Sequence, residues 1–292
     1  MKPAPFRYAA AHTVEEAADL VSRYGQECRV LAGGQSLMPM MNLRTLRPSV
    51  VLDIARIEDL SRWHKEANSV VIGAMVRQNR LETEDGLRVD LPLLADAVRC
   101  IGHAATRSRG TIVGSLCHAD PAAELPVCAV AMDATLILRS KHSERSVAAE
   151  EFFTGIFSTT MRDDELAVAV RFPIPPAGTL TAFDEIARRH GDFAMASAGC
   201  VVRLDGKGAF ADARLVYGGV GDTPVRVREA EQSLIGARPT QAVLTNAGRI
   251  VGDFLKPYDD VHATSKHRKS LAAVLTERIL RRALDSSRPK AE

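Results

Sequence analysis

Two short glycine-containing segments constrain this chain more than any other feature. The first, AGGQS at residues 32–36, directly follows the apolar run RVL. Adjacent glycines after a strand let main-chain N–H groups point outward with no Cβ in the way, and such a group of donors binds an anion, above all a phosphate. Taken alone, the same glycines fit a plain structural turn.

The second segment, TRSRGTIVGSLCHADPAAELP, carries Gly110 and Gly114 around a short apolar piece. If both segments face one pocket, they hold the two phosphates of a dinucleotide by backbone donors alone. Neither segment reads GxGxxG or ends in GK[ST], and Met38-Pro39-Met40 is expected to break regular structure. A Rossmann site or a P-loop is therefore disfavoured.

Charged residues in the second segment allow more than one role. Asp120 precedes a proline, as residues at helix starts often do, and its free oxygen also suits ribose or adenine recognition. Arg107 and Arg109 either add charge near the phosphates or are solvated. His103 and His118 have no paired acid or nucleophile at an informative spacing, so no catalytic residue is predicted.

Charge and composition exclude several classes of function. The 292 residues include 38 basic and 36 acidic side chains, a balance that gives no support for a nucleic-acid or membrane surface. No apolar run approaches the ~20 residues of a membrane span, and the N-terminus lacks a signal peptide, so a cytoplasmic location is expected. The 5 cysteines include no CxxC pair, which predicts reduced thiols and no metal site.

A proline-rich linker, PIPPAG, divides the chain. Before it, a β-α-β segment with a Thr13–Glu16 capping box leads into mixed short strands and helices. After it, three strands (LTAFDEIA, FAMASAGCVVRL, ADARLVYGGVG) precede three helices. The run HATSKHRKS is a solvated helix start or a partner surface, and the tail SSRPKAE is expected to fray.

Three stretches together resemble a known family: AGGQSLMPMMNLR, TIVGSLCHADPAAELP and DDVHATSKHRKSL. They are similar to the FAD-binding medium subunit of molybdenum hydroxylases of the carbon monoxide dehydrogenase and xanthine dehydrogenase type, over nearly the whole chain. The resemblance implies an α+β fold. A two-lobed FAD-binding domain of the vanillyl-alcohol-oxidase (PCMH) type would occupy residues 1–176, with lobes of about 1–57 and 58–176. Residues 177–292 would form a three-stranded antiparallel sheet packed on helices, in agreement with the strands counted after the linker.

The resemblance also implies a set of FAD-binding residues. The pyrophosphate would be wrapped by Ala32, Gly33, Gly34, Gln35 and Ser36, with Leu37 beside them. The second phosphate loop would consist of Thr111, Gly114 and Ser115, and the adenosine side would be bound by Asp120. Leu166 would lie near the flavin ring or the adenine, and Phe193, in RRHGDFAMAS, near the isoalloxazine.

Three positions depart from the family pattern. TIVGS stands where TIGGN is usual, and because Val113 cannot take a positive φ cheaply, we expect it in a strand conformation. Phe193 stands where tyrosine is frequent, which removes a hydroxyl from the flavin site. His267 stands where the last helix commonly has a tyrosine.

The resemblance implies an electron-relay function. FAD would pass electrons from the [2Fe–2S] clusters of a small partner subunit to an external acceptor, while a large subunit with a molybdenum cofactor hydroxylates the substrate, in a dimer of heterotrimers. The substrate stays open between carbon monoxide, an aldehyde, a purine and an N-heterocycle. Two alternatives also stay open: a self-sufficient FAD-dependent oxidoreductase with its own substrate site, and a structural subunit without cofactor.

Overall fold

A computed structural model describes residues 1–286 of the protein. The strands in this range are β1 (Arg7–Ala10), β2 (Cys28–Leu31), β3 (Val50–Asp53), β4 (Trp63–Lys65), β5 (Ser69–Gly73), β6 (Thr135–Arg139), β7 (Glu144–Ala148), β8 (Phe153–Gly155), β9 (Ser158–Thr159), β10 (Leu166–Pro173), β11 (Thr179–Ile186), β12 (Ala196–Leu204), β13 (Phe210–Gly218) and β14 (Val225–Arg226). The helices are α1 (Val14–Tyr24), α2 (Leu37–Asn42), α3 (Arg80–Thr83), α4 (Asp85–Asp90), α5 (Pro92–Ala97), α6 (Ala104–Arg107), α7 (Ile112–His118), α8 (Glu124–Ala131), α9 (Ala149–Phe152), α10 (Arg228–Leu234), α11 (Gln241–Phe254) and α12 (Ser265–Asp285).

The N-terminal lobe is a small parallel sheet with strand order β1-β3-β2. Parallel neighbours need a crossover, and α1 provides one between β1 and β2. The predicted capping box starts this helix: Thr13 Oγ1 accepts from Glu16 N at 3.1 Å, and the Glu16 carboxylate accepts from His12 N at 2.8 Å. Ala17 and Val21 turn the apolar face of α1 into the core.

The second lobe is an antiparallel five-stranded sheet with the order β4-β5-β10-β6-β7. The strands at its edges, β4 and β7, were not anticipated from the sequence, because their exposed residues lack a clear apolar alternation. The helix predicted over LPLLADAVRCIG is shorter than expected and is regular only over α5. The two lobes share one continuous apolar core.

The C-terminal part contains the three antiparallel strands expected after the linker, β11 to β13, followed by the three expected helices. A fourth strand of two residues, β14, adds to the edge of β13, so the sheet has four strands and not three. The helices α10, α11 and α12 pack on one face of this sheet and enclose a second apolar core.

Helix α8 joins the two parts of the chain. All of its residues are buried, since one side packs against the second lobe and the other against β12 and β13. A helix enclosed in this way is apolar on every face, and its sequence ELPVCAVA has this character apart from Glu124. The DPAAELP segment that precedes and opens α8 is therefore fixed between the two N-terminal lobes and the C-terminal sheet.

Among residues 1–286, none of the helices combines the length and the apolar character needed to cross a membrane. The cytoplasmic location stays a prediction. The tail expected to fray, SSRPKAE, lies outside the described residues from position 287 onwards.

Candidate functional site

The AGGQS loop connects β2 to α2 and turns at Gly34, which has a φ of +72°. Within the described residues, the main-chain N–H groups of Gly33, Gly34, Gln35 and Ser36 donate to no other protein group. Four unused donors in a row in the wall of a cavity form the kind of backbone concavity that suits an anion.

The expectation that Met38-Pro39-Met40 breaks regular structure was wrong. These residues lie in the first turns of α2. Proline is tolerated there because the N–H groups of the first turn have no partner within the helix.

The second loop packs directly against the first. A Cβ added to Gly33 would lie 2.5 Å from the carbonyl oxygen of Arg109 and 2.8 Å from the Cα of Gly110. Contacts this close between two backbones require glycine. The two segments that are distant in sequence therefore meet at Gly33, as the two-loop hypothesis requires.

Thr111 caps the short helix α7, and its Oγ1 accepts from Gly114 N at 3.1 Å. A Cβ on Gly114 would lie 2.5 Å from this oxygen, so the cap also requires glycine there. The prediction of a strand conformation for Val113 was wrong, because the residue lies in α7 and is buried. A negative φ is compatible with a helix as well as with a strand, and the capping threonine selects the helix.

Asp120 does not cap a helix. Its Oδ1 accepts from Ala122 N at 2.9 Å in a local turn, and α8 begins only at Glu124. The alternative role, recognition by the second carboxylate oxygen, is compatible with the position of Asp120 in the cavity wall.

A hairpin from the C-terminal sheet closes the other side of the cavity. It connects β11 to β12, begins beyond the hydrogen bond from Met195 N to Ile186 O, and carries Phe193, which is 72% exposed. Gly191, with a φ of +86°, seats the hairpin against the second lobe, since a Cβ there would lie 3.0 Å from His103 Cε1.

Arg268 holds the base of this hairpin. It is 4% exposed and donates to the carbonyl oxygens of Met195, at 2.5 Å, and Gly219, at 2.8 Å, and to Asp260. For this residue of HATSKHRKS the expected solvated or partner-facing role was wrong. The helical spacing turns Arg268 inward while its neighbours in the run stay at the surface.

The predicted residues line one cavity of about 850 Å³. Its volume lies in the upper range of ligand and cofactor pockets. All twelve residues named from the resemblance line it: Ala32, Gly33, Gly34, Gln35, Ser36, Leu37, Thr111, Gly114, Ser115, Asp120, Leu166 and Phe193.

The arginines of the second segment do not supply charge inside this cavity. Arg107 pairs with Glu82 at 2.9 Å. Arg109 lies on the other side of the AGGQS loop, where it lines a smaller cavity of about 540 Å³ with Arg77. Among the described residues there is also no group of three or more side chains arranged to hold a metal ion.

Several cavity residues were missed by the sequence reasoning. Gln78 is 5% exposed, and its Oε1 has no partner within the described chain. Phe157 was also missed; it packs at 4.9 Å against the ring of His118, a residue that was considered in the sequence but given no catalytic role. Burial lowers the pKa of His118, and the charge of Asp120 opposes this shift. Glu124 also lines the cavity. Of the missed residues, only Glu124 could have been noticed in the sequence, because it is an acidic residue in an otherwise apolar helix.

Comparison with known proteins identifies both parts of the chain. Residues 4–175 match the family described as the FAD binding domain in molybdopterin dehydrogenase, and residues 181–283 match the carbon monoxide dehydrogenase flavoprotein C-terminal domain. The alpha subunit of the 6-hydroxypseudooxynicotine dehydrogenase complex of Paenarthrobacter nicotinovorans is 38% identical, over 100% of this chain and 99% of that protein. The beta subunit of caffeine dehydrogenase from a Pseudomonas species is 35% identical over 98% of this chain and 97% of its own length.

Among solved structures, a chain of carbon monoxide dehydrogenase from Hydrogenophaga pseudoflava superposes with a TM-score of 0.94 at 34% identity. The match covers 98% of this chain and 99% of that one. The α+β fold class, with its FAD-binding domain and C-terminal flavoprotein domain, is thereby confirmed.

Proposed function

The chain belongs to the FAD-binding subunits of the molybdopterin dehydrogenases, and from this premise we propose that the cavity between its two glycine loops and the β11–β12 hairpin holds FAD. The observation that carries the proposal is the row of unused main-chain donors at Gly33 to Ser36, set against the second loop at Arg109 and Gly110. A diphosphate is the anion that two adjoining groups of backbone donors suit best.

The residues present fit this cofactor. Gly33 and Gly114 leave no room for a Cβ, so the backbone itself forms the wall. The unpartnered Oε1 of Gln78 gives the cavity a further polar group that a ligand can satisfy. At the other side, Phe193 offers an aromatic surface at which a planar ring system can pack.

We assign the cavity residues to parts of FAD as follows. Ala32 to Leu37 would hold the pyrophosphate with Thr111, Gly114 and Ser115. Asp120 would bind the adenosine side, Leu166 would contact a ring, and Phe193 would lie near the isoalloxazine. The domain division at residues 1–176 and 177–292 accompanies this assignment, with the hairpin as the contribution of the C-terminal domain to the site.

In this family the flavin accepts electrons from iron–sulfur clusters and passes them to an external acceptor. The protein is accordingly an oxidoreductase component whose own residues bind and orient the cofactor. The molybdenum cofactor and the [2Fe–2S] clusters belong to a large and a small partner subunit. We propose that the three chains assemble as a dimer of heterotrimers.

The relatives limit what this chain determines about the substrate. Two relatives of similar identity are named for different substrates, 6-hydroxypseudooxynicotine and caffeine. Because chains similar to this one over nearly their whole length belong to enzymes named for different substrates, we propose that substrate recognition lies on the large subunit.

Purification of the native complex tests the proposal. We expect the complex to contain molybdenum, iron and FAD, and the isolated chain to bind FAD without being reduced by any substrate of the complex. Substrate-dependent flavin reduction by the isolated chain would instead indicate a self-sufficient enzyme. A chain that takes up no FAD would contradict the proposal.

A further inference from the structure

A buried and a half-buried carboxyl, those of Glu124 and Glu185, lie where the cavity meets the C-terminal sheet. Glu124 is the first residue of α8 and lines the cavity. Glu185 is on β11, directly before the hairpin that carries Phe193. The electron relay described above assigns neither of them a role.

The backbone brings these two side chains to the same interface. In the register of the sheet, Ser197 is opposite both Glu185 and Gly218, so the three residues form one row across it. A Cβ on Gly218 would lie 2.8 Å from Val127 Cγ2, which places α8 against this row. Glu124 precedes Val127 by three positions and therefore lies on the same face of the helix.

The row contains polar atoms that the protein leaves unsatisfied. Glu185 Oε2 and Ser197 Oγ are both shielded from solvent and have no hydrogen-bond partner within the described residues. Ser197 is 0% exposed. An unsatisfied buried polar atom costs about 1–3 kcal/mol, so such atoms indicate a place where protons or water are held.

Burial favours the protonated form of both carboxyls. It raises the pKa of Glu124 to about 7, and the charge of Asp120 acts in the same direction. A first-turn position in a helix favours a carboxylate by at most ~2 kcal/mol, and burial outweighs it here. Burial likewise raises the pKa of Glu185 to about 8, reinforced by the charges of Glu124 and then Asp184.

Of the other ionisable groups near Glu124 and Glu185, two aspartates are ion-paired with arginines and two cysteines are uncharged. Asp184 pairs with Arg278 at 3.1 Å, and Asp96 lies 3.8 Å from Arg282. Two thiols adjoin the carboxyls, and both are held in the neutral form: burial raises the pKa of Cys100 to about 12 and that of Cys128 well above its usual value. The charges that act on Glu124 and Glu185 thus all come from acids.

We propose that Glu124 and Glu185 form an interacting carboxyl pair, and that Glu124 releases a proton to the flavin site as electrons arrive and takes it back as they leave. The inference rests on the proposed function. Two-electron reduction of a flavin takes up at least one proton, and the electrons come from the clusters of the partner subunit.

As the flavin site receives electrons, the O–H bond of Glu124 would break and its proton would pass to the reduced cofactor, leaving Glu124 as a carboxylate. On reoxidation the proton would return to Glu124 and the O–H bond would form again. Glu124, in the cavity wall, is the member that faces the cofactor, and Glu185 keeps the proton on the pair by repulsion between the two carboxylates.

The test uses the purified complex with the wild-type chain or with Glu124→Gln, Glu185→Gln or Asp184→Asn. Asp184→Asn is the matched control for the infrared band, because it removes an acid from the same strand that is ion-paired with Arg278. Since the charge of Asp184 adds to the raised pKa of Glu185, this variant is not a control for the pH of the inflection. FAD content and flavin reduction by the complex are measured first. A wild-type complex without FAD would contradict the proposed function. The further measurements are made on complexes that contain FAD and test only the role of the carboxyl pair.

Redox-induced infrared difference spectra and the pH dependence of the flavin midpoint potential then test whether the carboxyl pair exchanges a proton with the flavin site. We expect the carboxyl C=O band to change on reduction of the wild type and of Asp184→Asn, and to be lost in Glu124→Gln. The potential should show an inflection between pH 7 and pH 8, moved to lower pH in Glu185→Gln.

A Glu124→Gln complex with the wild-type band and the wild-type inflection overturns the proposal. If that variant does not assemble, Glu185→Gln decides: an inflection at the unchanged pH overturns the proposal, and a shifted one supports it.

Discussion

The two ends of the cavity are made from different chemistry. At the end where we propose that the diphosphate binds, called the phosphate end below, the donors are main-chain N–H groups. At the end nearer the C-terminal sheet, Glu124 lines the cavity and Glu185 lies behind it on β11, and burial raises the pKa of both carboxyls. Main-chain amides do not titrate, so we expect their binding of a diphosphate to be independent of pH. The protonation of the carboxyls at the other end should change with pH.

The ends also differ in how they are held together. Backbone contacts between two loops of the FAD-type lobes form the phosphate end. The other end is assembled across the boundary between the two apolar cores and is tied by side chains, chiefly Arg268. Substitutions at the first end should therefore change cofactor affinity, and substitutions at the second should change stability and the response to pH.

The largest effect is expected from Arg268→Ala. Removing one partner from a buried charged network costs about 3–5 kcal/mol, because Asp260 and two carbonyl oxygens lose their donor. Chemical denaturation should show this loss together with a lower FAD content. Arg249→Ala, which removes an exposed pair with Asp253, is the control and should change stability by less than about 0.5 kcal/mol. Equal effects of the two substitutions would contradict the view that Arg268 holds the base of the β11–β12 hairpin in place.

Gly33→Ala should weaken FAD binding by about tenfold to a hundredfold, since overpacking costs about 1–3 kcal/mol and the new Cβ would press the two loops apart. Flavin titration of the apoprotein measures the affinity. Gly206→Ala, at a glycine with open space around it, should bind FAD as the wild type does. Undiminished affinity of Gly33→Ala would show that the contact between the loops does not shape the phosphate site.

The carboxyl pair should make stability fall as the pH rises. Both pKa values lie above the ordinary 4.5, so the folded state binds more protons than the unfolded state, and this contribution is complete below pH 4.5 and lost through pH 7 and 8. His118, whose folded pKa is lowered from 6.5, acts in the opposite direction, because near pH 6.5 its side chain binds more protons in the unfolded state than in the folded state. This opposing contribution fades as the pH rises further and the unfolded histidine also becomes neutral.

Between pH 6.5 and pH 8 we expect a loss of roughly 1–2 kcal/mol in the free energy of unfolding. Urea denaturation at constant ionic strength measures it, and the double variant Glu124→Gln/Glu185→Gln should flatten the slope. A slope that persists in the double variant would assign the pH response to other groups.

The smallest effect is expected from Thr111→Val. Loss of the cap on α7 costs about 1 kcal/mol, and it should weaken FAD binding because this helix begins at the phosphate end. Thr240→Val removes the equivalent cap of α11, far from the cavity, and should lower stability without changing FAD affinity. If both variants bind FAD equally well, Thr111 serves only the helix.

Much of the site could be predicted because its chemistry is local. The glycines at 33, 34 and 114 already indicate in the sequence that the backbone is approached closely at these positions. The structure places all twelve predicted residues around one cavity. Errors arose where a local pattern was ambiguous. Asp120 before a proline suggested a helix start, yet α8 begins four residues later. Val113 was expected in a strand and lies in a helix.

The sequence by itself determined the two glycine loops, the strands and helices after the linker, and the family to which the chain belongs, since these depend on local conformation and motif. Only the tertiary structure decided that Arg268 is buried, that Gln78 lines the cavity, and that Glu185 lies close enough to Glu124 for the charge of Glu124 to raise its pKa. Burial and charge proximity arise from residues far apart in the chain, and a carboxyl is identical in sequence whether water or a protein interior surrounds it.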